Sequence, residues 1–216
     1  MSEPGGWRLF EYTLSVAALV LLLPLFLLLA AAVRLESPGP VFFHQRRVGQ
    51  HGELFWIWKL RTMAADAEHR GPSITRGGDA RITRVGRVLR RYKLDELPQL
   101  VNVLRGEMSL IGPRPEVPEY VALYTPDQRR VLEDRPGITD PASVAFADEE
   151  QRLAEAEDPE RFYREVILPE KLRLYLDYRR RRSWRSDLRV LLRTLSAVRH
   201  HSTGGKMRST DPSRGG

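Results

Sequence analysis

One apolar segment near the amino terminus limits what this chain can fold into. Residues 12–33 carry no charge over 22 positions, and from residue 16 onward they are almost wholly Ala, Val, Leu and Phe. A helix of about 20 apolar residues, rising about 1.5 Å per residue, crosses a hydrocarbon core about 30 Å thick. Length alone therefore predicts a membrane-spanning helix.

Pro24 lies near the middle of this segment and argues for a different path. Proline has no N–H for the carbonyl of Val20, so it kinks a helix and leaves two halves that are each too short to span. Such halves suit a re-entrant hairpin that enters and leaves one leaflet. A cleaved signal peptide is disfavoured because the apolar run is long and the preceding basic region is weak. The residues alone leave spanning and re-entrant paths open.

Charge is concentrated in the rest of the chain. The 216 residues carry a formal net charge of +7, while the first 33 carry −1, from Arg8 against Glu3 and Glu11, so the remainder carries +8. A basic body implies anionic partners: a phospholipid surface, phosphorylated small molecules or nucleic acid. The sequence has no cysteine, which excludes disulfides, thiolate metal sites and thiol nucleophiles.

Polar and β-rich segments follow the apolar run. A Ser-Pro-Gly-Pro sequence at 37–40 ends the helix, and the aromatic and β-branched runs 41–48 and 54–60 predict a hairpin around the turn 49–52. We expect a short helix and then a loop over 64–78. Arginines then recur at helical spacing beside an apolar stripe, which favours a helix with either a solvated face or a surface that docks on anionic headgroups. These arginines are Arg81, Arg84, Arg87, Arg90 and Arg91.

Adjacent carboxylates mark the densest chemistry in the chain. Asp95 is predicted to be a helix N-cap, with Glu96 in the first turn, because apolar residues repeat at helical spacing from Leu97 to Leu104. An ionised Asp can attack phosphorus, and a carboxylate one residue along points about 100° away and can hold a divalent cation. An ordinary acidic capping turn would have the same sequence.

Arg114 lies between Pro113 and Pro115. Two prolines stiffen the loop and present a guanidinium fork suited to bidentate contact with phosphate or carboxylate. The alternative is a structural turn in which Arg114 pairs with Glu116.

Several long motifs, in one order, carry a family resemblance. Over residues 8–198 the chain resembles the bacterial sugar transferases, the small monotopic phosphoglycosyl transferases that act on polyprenyl phosphate. The motifs are Pro24 in the apolar run, Ser-Pro-Gly-Pro-Val-Phe-Phe-His-Gln-Arg-Arg-Val-Gly at 37–49, Lys-Leu-Arg-Thr-Met at 59–63, Leu-Asp-Glu-Leu-Pro-Gln at 94–99, Met-Ser-Leu-Ile-Gly-Pro-Arg-Pro at 108–115 and Arg-Pro-Gly-Ile-Thr at 135–139.

The resemblance implies a mainly helical α+β fold on the cytoplasmic face of the bacterial inner membrane. A re-entrant helix-break-helix would occupy 1–36, and a cytoplasmic catalytic domain with a small β-hairpin 37–200; the Gly, Ser and Thr content of 201–216 predicts a disordered tail. The implied reaction moves a sugar 1-phosphate from a UDP-sugar to undecaprenyl phosphate, releases UMP and requires Mg²⁺. It would be the first membrane step of a polysaccharide, exopolysaccharide or glycoprotein glycan pathway.

The resemblance also assigns roles to individual residues. Asp95 would be the nucleophile that forms an aspartyl phosphosugar, and Glu96 the residue associated with the metal. Matching motif positions imply a substrate-binding set: Lys59, Arg90, Pro113, Arg114 and Asp187. Cations in this set suit a diphosphate donor and a phosphate acceptor.

Two departures from the family pattern bear on topology and donor choice. Leu23 precedes Pro24 where relatives often have Ser, whose hydroxyl can bond a freed carbonyl. Residues 140–146 read Asp-Pro-Ala-Ser-Val-Ala-Phe, unlike many relatives, so the resemblance leaves the sugar open. The other hypotheses are a catalytically silent membrane scaffold and a single-pass nucleic-acid-binding protein. No recognition motif supports nucleic acid, so no nucleic-acid partner is expected.

Overall fold

The computed structural model describes residues 5–64, 67, 78–146 and 148–203, and its body is mainly helical with two small sheets. The predicted fold class is confirmed at this level. Most of the predicted helix and loop over 64–78, and all but the first three residues of the predicted tail 201–216, lie outside the described residues. The helices are α1 Gly5–Glu36, α2 Arg84–Arg91, α3 Gln99–Leu104, α4 Pro118–Val121, α5 Pro141–Ala145, α6 Glu149–Glu155, α7 Pro159–Phe162, α8 Leu168–Arg181 and α9 Trp184–Thr203. The strands are β1 Phe42–Val48, β2 Leu54–Leu60, β3 Ser109–Ile111 and β4 Gly137–Thr139.

Helix α1 continues through Pro24. The predicted division into two helices is therefore wrong at the level of secondary structure. A proline removes one hydrogen bond of the ladder, while the Leu- and Ala-rich flanks on both sides favour the helix. By length and composition α1 is able to cross a membrane. Only 6% of its most apolar 18-residue stretch is buried in the protein.

Both ends of α1 pack against the same body. Near its start, Trp7 and Tyr12 contact the core cluster that contains Ile111. Near its end, Val33 packs with Leu60 and Leu89 in a second cluster. Between these contacts the opposite face is open, with side chains such as Leu21 at 79% and Leu28 at 69% exposure. The helix therefore lies along the body rather than projecting away from it at one end.

The predicted β-hairpin is confirmed. Strands β1 and β2 pair antiparallel from Phe42 opposite Leu60 to Val48 opposite Leu54. Directly opposed residues share a face of the ribbon, so Arg47 shares a face with its opposite Phe55, which is buried. Lys59, four residues along β2 from Phe55, lies on that face as well. Because side chains alternate between the two faces of the hairpin, Arg47 and Lys59 both lie on the face that packs against the body.

A short turn links α2 to α3 and carries the paired carboxylates. Lys93 adopts left-handed backbone geometry, with φ of 55°, and Leu94–Glu96 then form a single 3₁₀ turn. Helix α3 begins only at Gln99, after Pro98. Asp95 is therefore not the N-cap of α3 as predicted; Pro98 takes the position before the helix because its fixed φ suits a helix start.

Candidate active site

Glu96 is the centre of a buried charge cluster. Its Oε1 lies 3.0 Å from Lys59 Nζ and 2.5 Å from Arg114 Nη2, and Arg114 Nη1 donates to Oε2 at 3.4 Å. Three separate parts of the chain contribute: β2, the 3₁₀ turn and the loop after β3. The structure thus brings together three of the predicted site residues. Arg114 makes its bidentate contact with Glu96, and not with Glu116.

Asp95 lies beside this cluster with an unsatisfied oxygen. Asp95 and Glu96 are each only 7% exposed. Asp95 Oδ1 is buried and has no hydrogen-bond partner among the described residues. A buried acceptor without a partner is costly, and in a native protein it calls for an explanation such as a catalytic role or an external partner. Glu96 is therefore held by Lys59 and Arg114, while an oxygen of Asp95 is available to an external partner.

The pKa values of the two carboxyl groups are shifted in opposite directions. Burial, followed by the negative charge of Glu96, raises the pKa of Asp95. Burial also opposes ionisation of Glu96, but the charges of Arg114 and Lys59 outweigh it and hold the Glu96 pKa well below its ordinary value. The charge of Glu96 in turn raises the pKa of Arg114 well above its ordinary value. Titratable neighbours with separated pKa values are typical of functional sites.

Arg47 belongs to the same region and was not singled out from the sequence. Its Nη1 donates to the Pro115 carbonyl at 3.1 Å and lies 3.6 Å from Glu116. Tyr163 donates its hydroxyl to Glu116 at 2.5 Å. Arg47 therefore supports the loop that carries Arg114, through contacts with the two residues that follow it. The signal was available in the alternation of β1, which places Arg47 on the same face of the hairpin as Lys59.

The remaining predicted site residues lie outside the cluster itself. Arg90 pairs with Glu150 at 2.5 Å, although its charge is near enough to offset a small part of the rise in the Asp95 pKa. Asp187 is buried in a second network, where Arg182 Nε donates to it at 3.1 Å and Tyr178 donates its hydroxyl at 2.5 Å.

Pro113 connects the two regions. It lines a small crevice together with Tyr178 and Arg182, the two residues that hold Asp187. The substrate-binding roles of Arg90, Pro113 and Asp187 stay predictions.

The carboxylates also bear on the expected metal. Within the described parts of the chain, no group of three or more His, Cys, Asp or Glu side chains is placed to hold an ion. Mg²⁺ is usually bound by one or two carboxylates together with substrate phosphates and water. The unpartnered Asp95 oxygen and the ionised Glu96 are donors of the kind that Mg²⁺ prefers. Both Glu96 oxygens already accept from Arg114, so the Mg²⁺ site stays a prediction.

Comparison with known proteins agrees with the motif resemblance. A family model described as bacterial sugar transferase matches residues 5–201. The chain belongs to the bacterial sugar transferase family. The predicted enzyme class, a transferase, is thereby confirmed. The charge cluster of this sugar transferase lies well inside the matched region.

Individual relatives share much of the sequence. The chain is 37% identical over 196 residues to the UDP-glucose:undecaprenyl-phosphate glucose-1-phosphate transferase of Caulobacter vibrioides, covering 88% of this chain and 68% of the relative. It is 40% identical to a protein of the same name from Xanthomonas campestris pv. campestris, covering 86% of this chain and 37% of the relative. A UDP-N-acetylgalactosamine-undecaprenyl-phosphate N-acetylgalactosaminephosphotransferase of Aeromonas hydrophila is 45% identical, covering 60% and 31%. This sugar transferase thus spans about a third of the two longer relatives.

Proposed function

We propose that this sugar transferase moves a sugar 1-phosphate from a UDP-sugar to undecaprenyl phosphate through a covalent aspartyl phosphosugar. The observation that carries the proposal is the buried Asp95, with a raised pKa and an unpartnered oxygen, beside a Glu96 held by Lys59 and Arg114. The names of the relatives support the substrate classes. Those names differ in the sugar, so the donor remains open.

Asp95 is proposed to act as the nucleophile in two displacements. In the first, a carboxylate oxygen of Asp95 attacks the sugar-bearing phosphorus, and the bond to the bridging oxygen breaks, so that UMP leaves with that oxygen. In the second, a phosphate oxygen of the polyprenyl phosphate attacks the same phosphorus. The bond to Asp95 breaks and the free carboxylate is restored.

The neighbouring charges suit these steps. Lys59 and Arg114 supply positive charge beside the transferred phosphate, which offsets the charge that develops during displacement. Glu96 fixes both cations and keeps their separation. Glu96 would hold Mg²⁺ together with the donor diphosphate; the ion would stabilise negative charge on the phosphate oxygens. Because Arg47 holds the Pro115 carbonyl, the loop stays in place through both half-reactions.

The decisive experiment is a donor panel. The full-length protein in nanodiscs is incubated with undecaprenyl phosphate, Mg²⁺ and a series of UDP-sugars, and UMP release is measured. We expect release with at least one donor, and release that depends on Mg²⁺. Turnover with no donor would contradict the proposal and favour the catalytically silent scaffold.

The raised pKa of Asp95 predicts an unusual pH profile. Only the deprotonated carboxylate attacks phosphorus, so kcat/KM for the UDP-sugar should fall as the pH drops through the Asp95 pKa, at a pH above the ordinary aspartate value of 3.8. This parameter reports the free enzyme and avoids titration of the acceptor phosphate. Glu96 does not account for such a limb because its pKa lies well below the ordinary value. A limb at or below pH 3.8 would contradict the prediction.

We also propose that α1 is monotopic, with both ends and the catalytic body on the cytoplasmic face. The support is the contact of both ends of α1 with one body, since a spanning helix would carry one end to the opposite side. Because the chain lacks cysteine, single cysteines at Ser2 and Ser202 can be labelled without background. We expect both to react with an impermeant reagent from the cytoplasmic side only. Labelling from opposite sides would refute the monotopic arrangement.

A further inference from the structure

Helix α1 contains a carboxylate that membrane anchoring does not explain. Glu11 is 1% exposed, and its Oε1 accepts hydrogen bonds from Ser109 Oγ at 2.5 Å and from the Leu110 N–H at 2.9 Å. A buried carboxylate is costly unless it is hydrogen-bonded, and an apolar residue would anchor the helix equally well. The bonds that Glu11 makes therefore point to a role in the body of the protein.

The strand that Glu11 holds leads directly to the charge cluster. Ser109 and Leu110 begin β3, and Arg114 follows three residues after its end. The path between them is stiff. Gly112 approaches the neighbouring chain so closely that a Cβ there would lie 2.2 Å from the Arg135 carbonyl oxygen, and Pro113 has a fixed φ. A shift of β3 is therefore transmitted to the guanidinium that holds Glu96.

The other end of α1 has a similar contact. Glu36 is the last residue of the helix, and its two carboxylate oxygens accept from the backbone N–H groups of Arg84 at 2.7 Å and Val85 at 2.9 Å. These are the first residues of α2, which leads to the turn that carries Asp95 and Glu96. Ionised carboxylates at a helix N-terminus are favourable because they meet free N–H groups and the positive end of the dipole.

We propose that α1 is a brace for the catalytic site, with Glu11 and Glu36 as positioning residues at its two ends. Glu11 sets β3 and so Arg114, while Glu36 sets α2 and so the Asp95–Glu96 turn. Both halves of the charge cluster are thereby positioned by one continuous helix. This inference rests on the proposed function for its kinetic consequence, but the restraint on β3 is independent of the reaction.

The main test substitutes Glu11 in the full-length protein in nanodiscs. Glu11→Ala removes the acceptor of two hydrogen bonds, and we expect kcat for UMP release to fall by about 10–100-fold, as expected for catalytic groups misplaced by up to about 1 Å. KM for the UDP-sugar should change much less, because the binding groups remain. Glu11→Gln keeps an acceptor oxygen and should recover most of the lost kcat. Glu36→Ala should show a smaller fall, because its contacts are exposed.

Ser15 provides a matched control. It lies one turn after Glu11, its side chain is fully buried, and its hydroxyl has no hydrogen-bond partner among the described residues. Ser15→Ala should therefore leave kcat unchanged. If Glu11 only stabilised the contact between α1 and the body, Glu11→Ala, Glu11→Gln and Ser15→Ala would all lower stability, and kcat per folded molecule would not change. This result would overturn the brace.

Hydrogen exchange provides a readout without turnover. In Glu11→Ala, exchange across 109–114 should be faster than in wild type, beginning with the Leu110 N–H that loses its acceptor, while Ser15→Ala should match wild type. If wild type releases no UMP but the exchange difference is present, the proposed function fails and the restraint by Glu11 stands. Unchanged exchange in Glu11→Ala would overturn the brace whatever the activity.

Discussion

Asp95→Asn should abolish UMP release from the UDP-sugar that the wild-type protein uses. An amide of nearly the same size occupies the same place but has no charged oxygen to attack phosphorus. Removal of a nucleophile that forms a covalent intermediate typically lowers kcat by about 10⁴–10⁶-fold. We therefore expect a fall of at least about 10⁴-fold, with binding of the UDP-sugar retained. The measurement is UMP release with undecaprenyl phosphate and Mg²⁺, together with equilibrium binding of the donor.

A second carboxylate provides the control for this substitution. Asp79 is paired with Arg81 at 2.7 Å, so Asp79→Asn removes a paired carboxylate charge outside the cluster. This variant should keep its activity per folded molecule. Trapping the intermediate adds a direct check: wild type incubated with a labelled UDP-sugar and no acceptor should retain label on the protein, and Asp95→Asn should not. Undiminished turnover in Asp95→Asn would refute covalent catalysis.

Much of the fold followed from local patterns in the sequence. The hairpin was predicted correctly because the aromatic and β-branched runs on either side of Gly49 and Gly52 determine both strands and the turn. The helix break at Pro24 was not, because one lost hydrogen bond is outweighed by the long Leu-rich flanks. The start of α3 was also misplaced. Lys93 takes a left-handed conformation that residue type alone does not favour, and it moves the carboxylates into a turn of their own.

Three members of the charge cluster were predictable from motifs, but their contacts were not. Motif matching selected Lys59, Glu96 and Arg114, and the structure brings these together. Their partners were not predictable, because the pairing of Arg114 with Glu96 rather than with Glu116 depends on how distant segments pack. The contact of Glu11 with Ser109 spans nearly 100 residues. Local periodicity carries no information on contacts between residues so far apart in the sequence. The partner of a carboxylate beside a long apolar run is therefore hard to predict.

Glu96→Gln should damage both stability and activity. The carboxylate neutralises two cations, Lys59 and Arg114, in a site where the Glu96 side chain is only 9% exposed. Removing one partner of a buried ion pair costs about 3–5 kcal/mol. Because Gln still accepts a hydrogen bond, we expect about 3 kcal/mol, which lowers the unfolding midpoint of a chain of this size by about 6–12 °C. With the cations no longer fixed, kcat should also fall by about 10²–10³-fold.

An exposed ion pair of equal length is a control that shows whether the loss of stability in Glu96→Gln comes from burial or from pairing alone. Glu133 lies 2.5 Å from Arg179, the same distance as Glu96 from Arg114, but the Glu133 side chain is 51% exposed. Glu133→Gln should therefore cost at most about 1 kcal/mol and leave kcat unchanged. Combining Glu96→Gln with Arg114→Leu then tests the pair itself. Since removing the guanidinium relieves the unpaired, partly buried charge, the double variant should be more stable than the sum of the single effects by about 1–3 kcal/mol. Strict additivity would mean that Glu96 and Arg114 are not coupled, and the assignment of the charge cluster as one unit would fail.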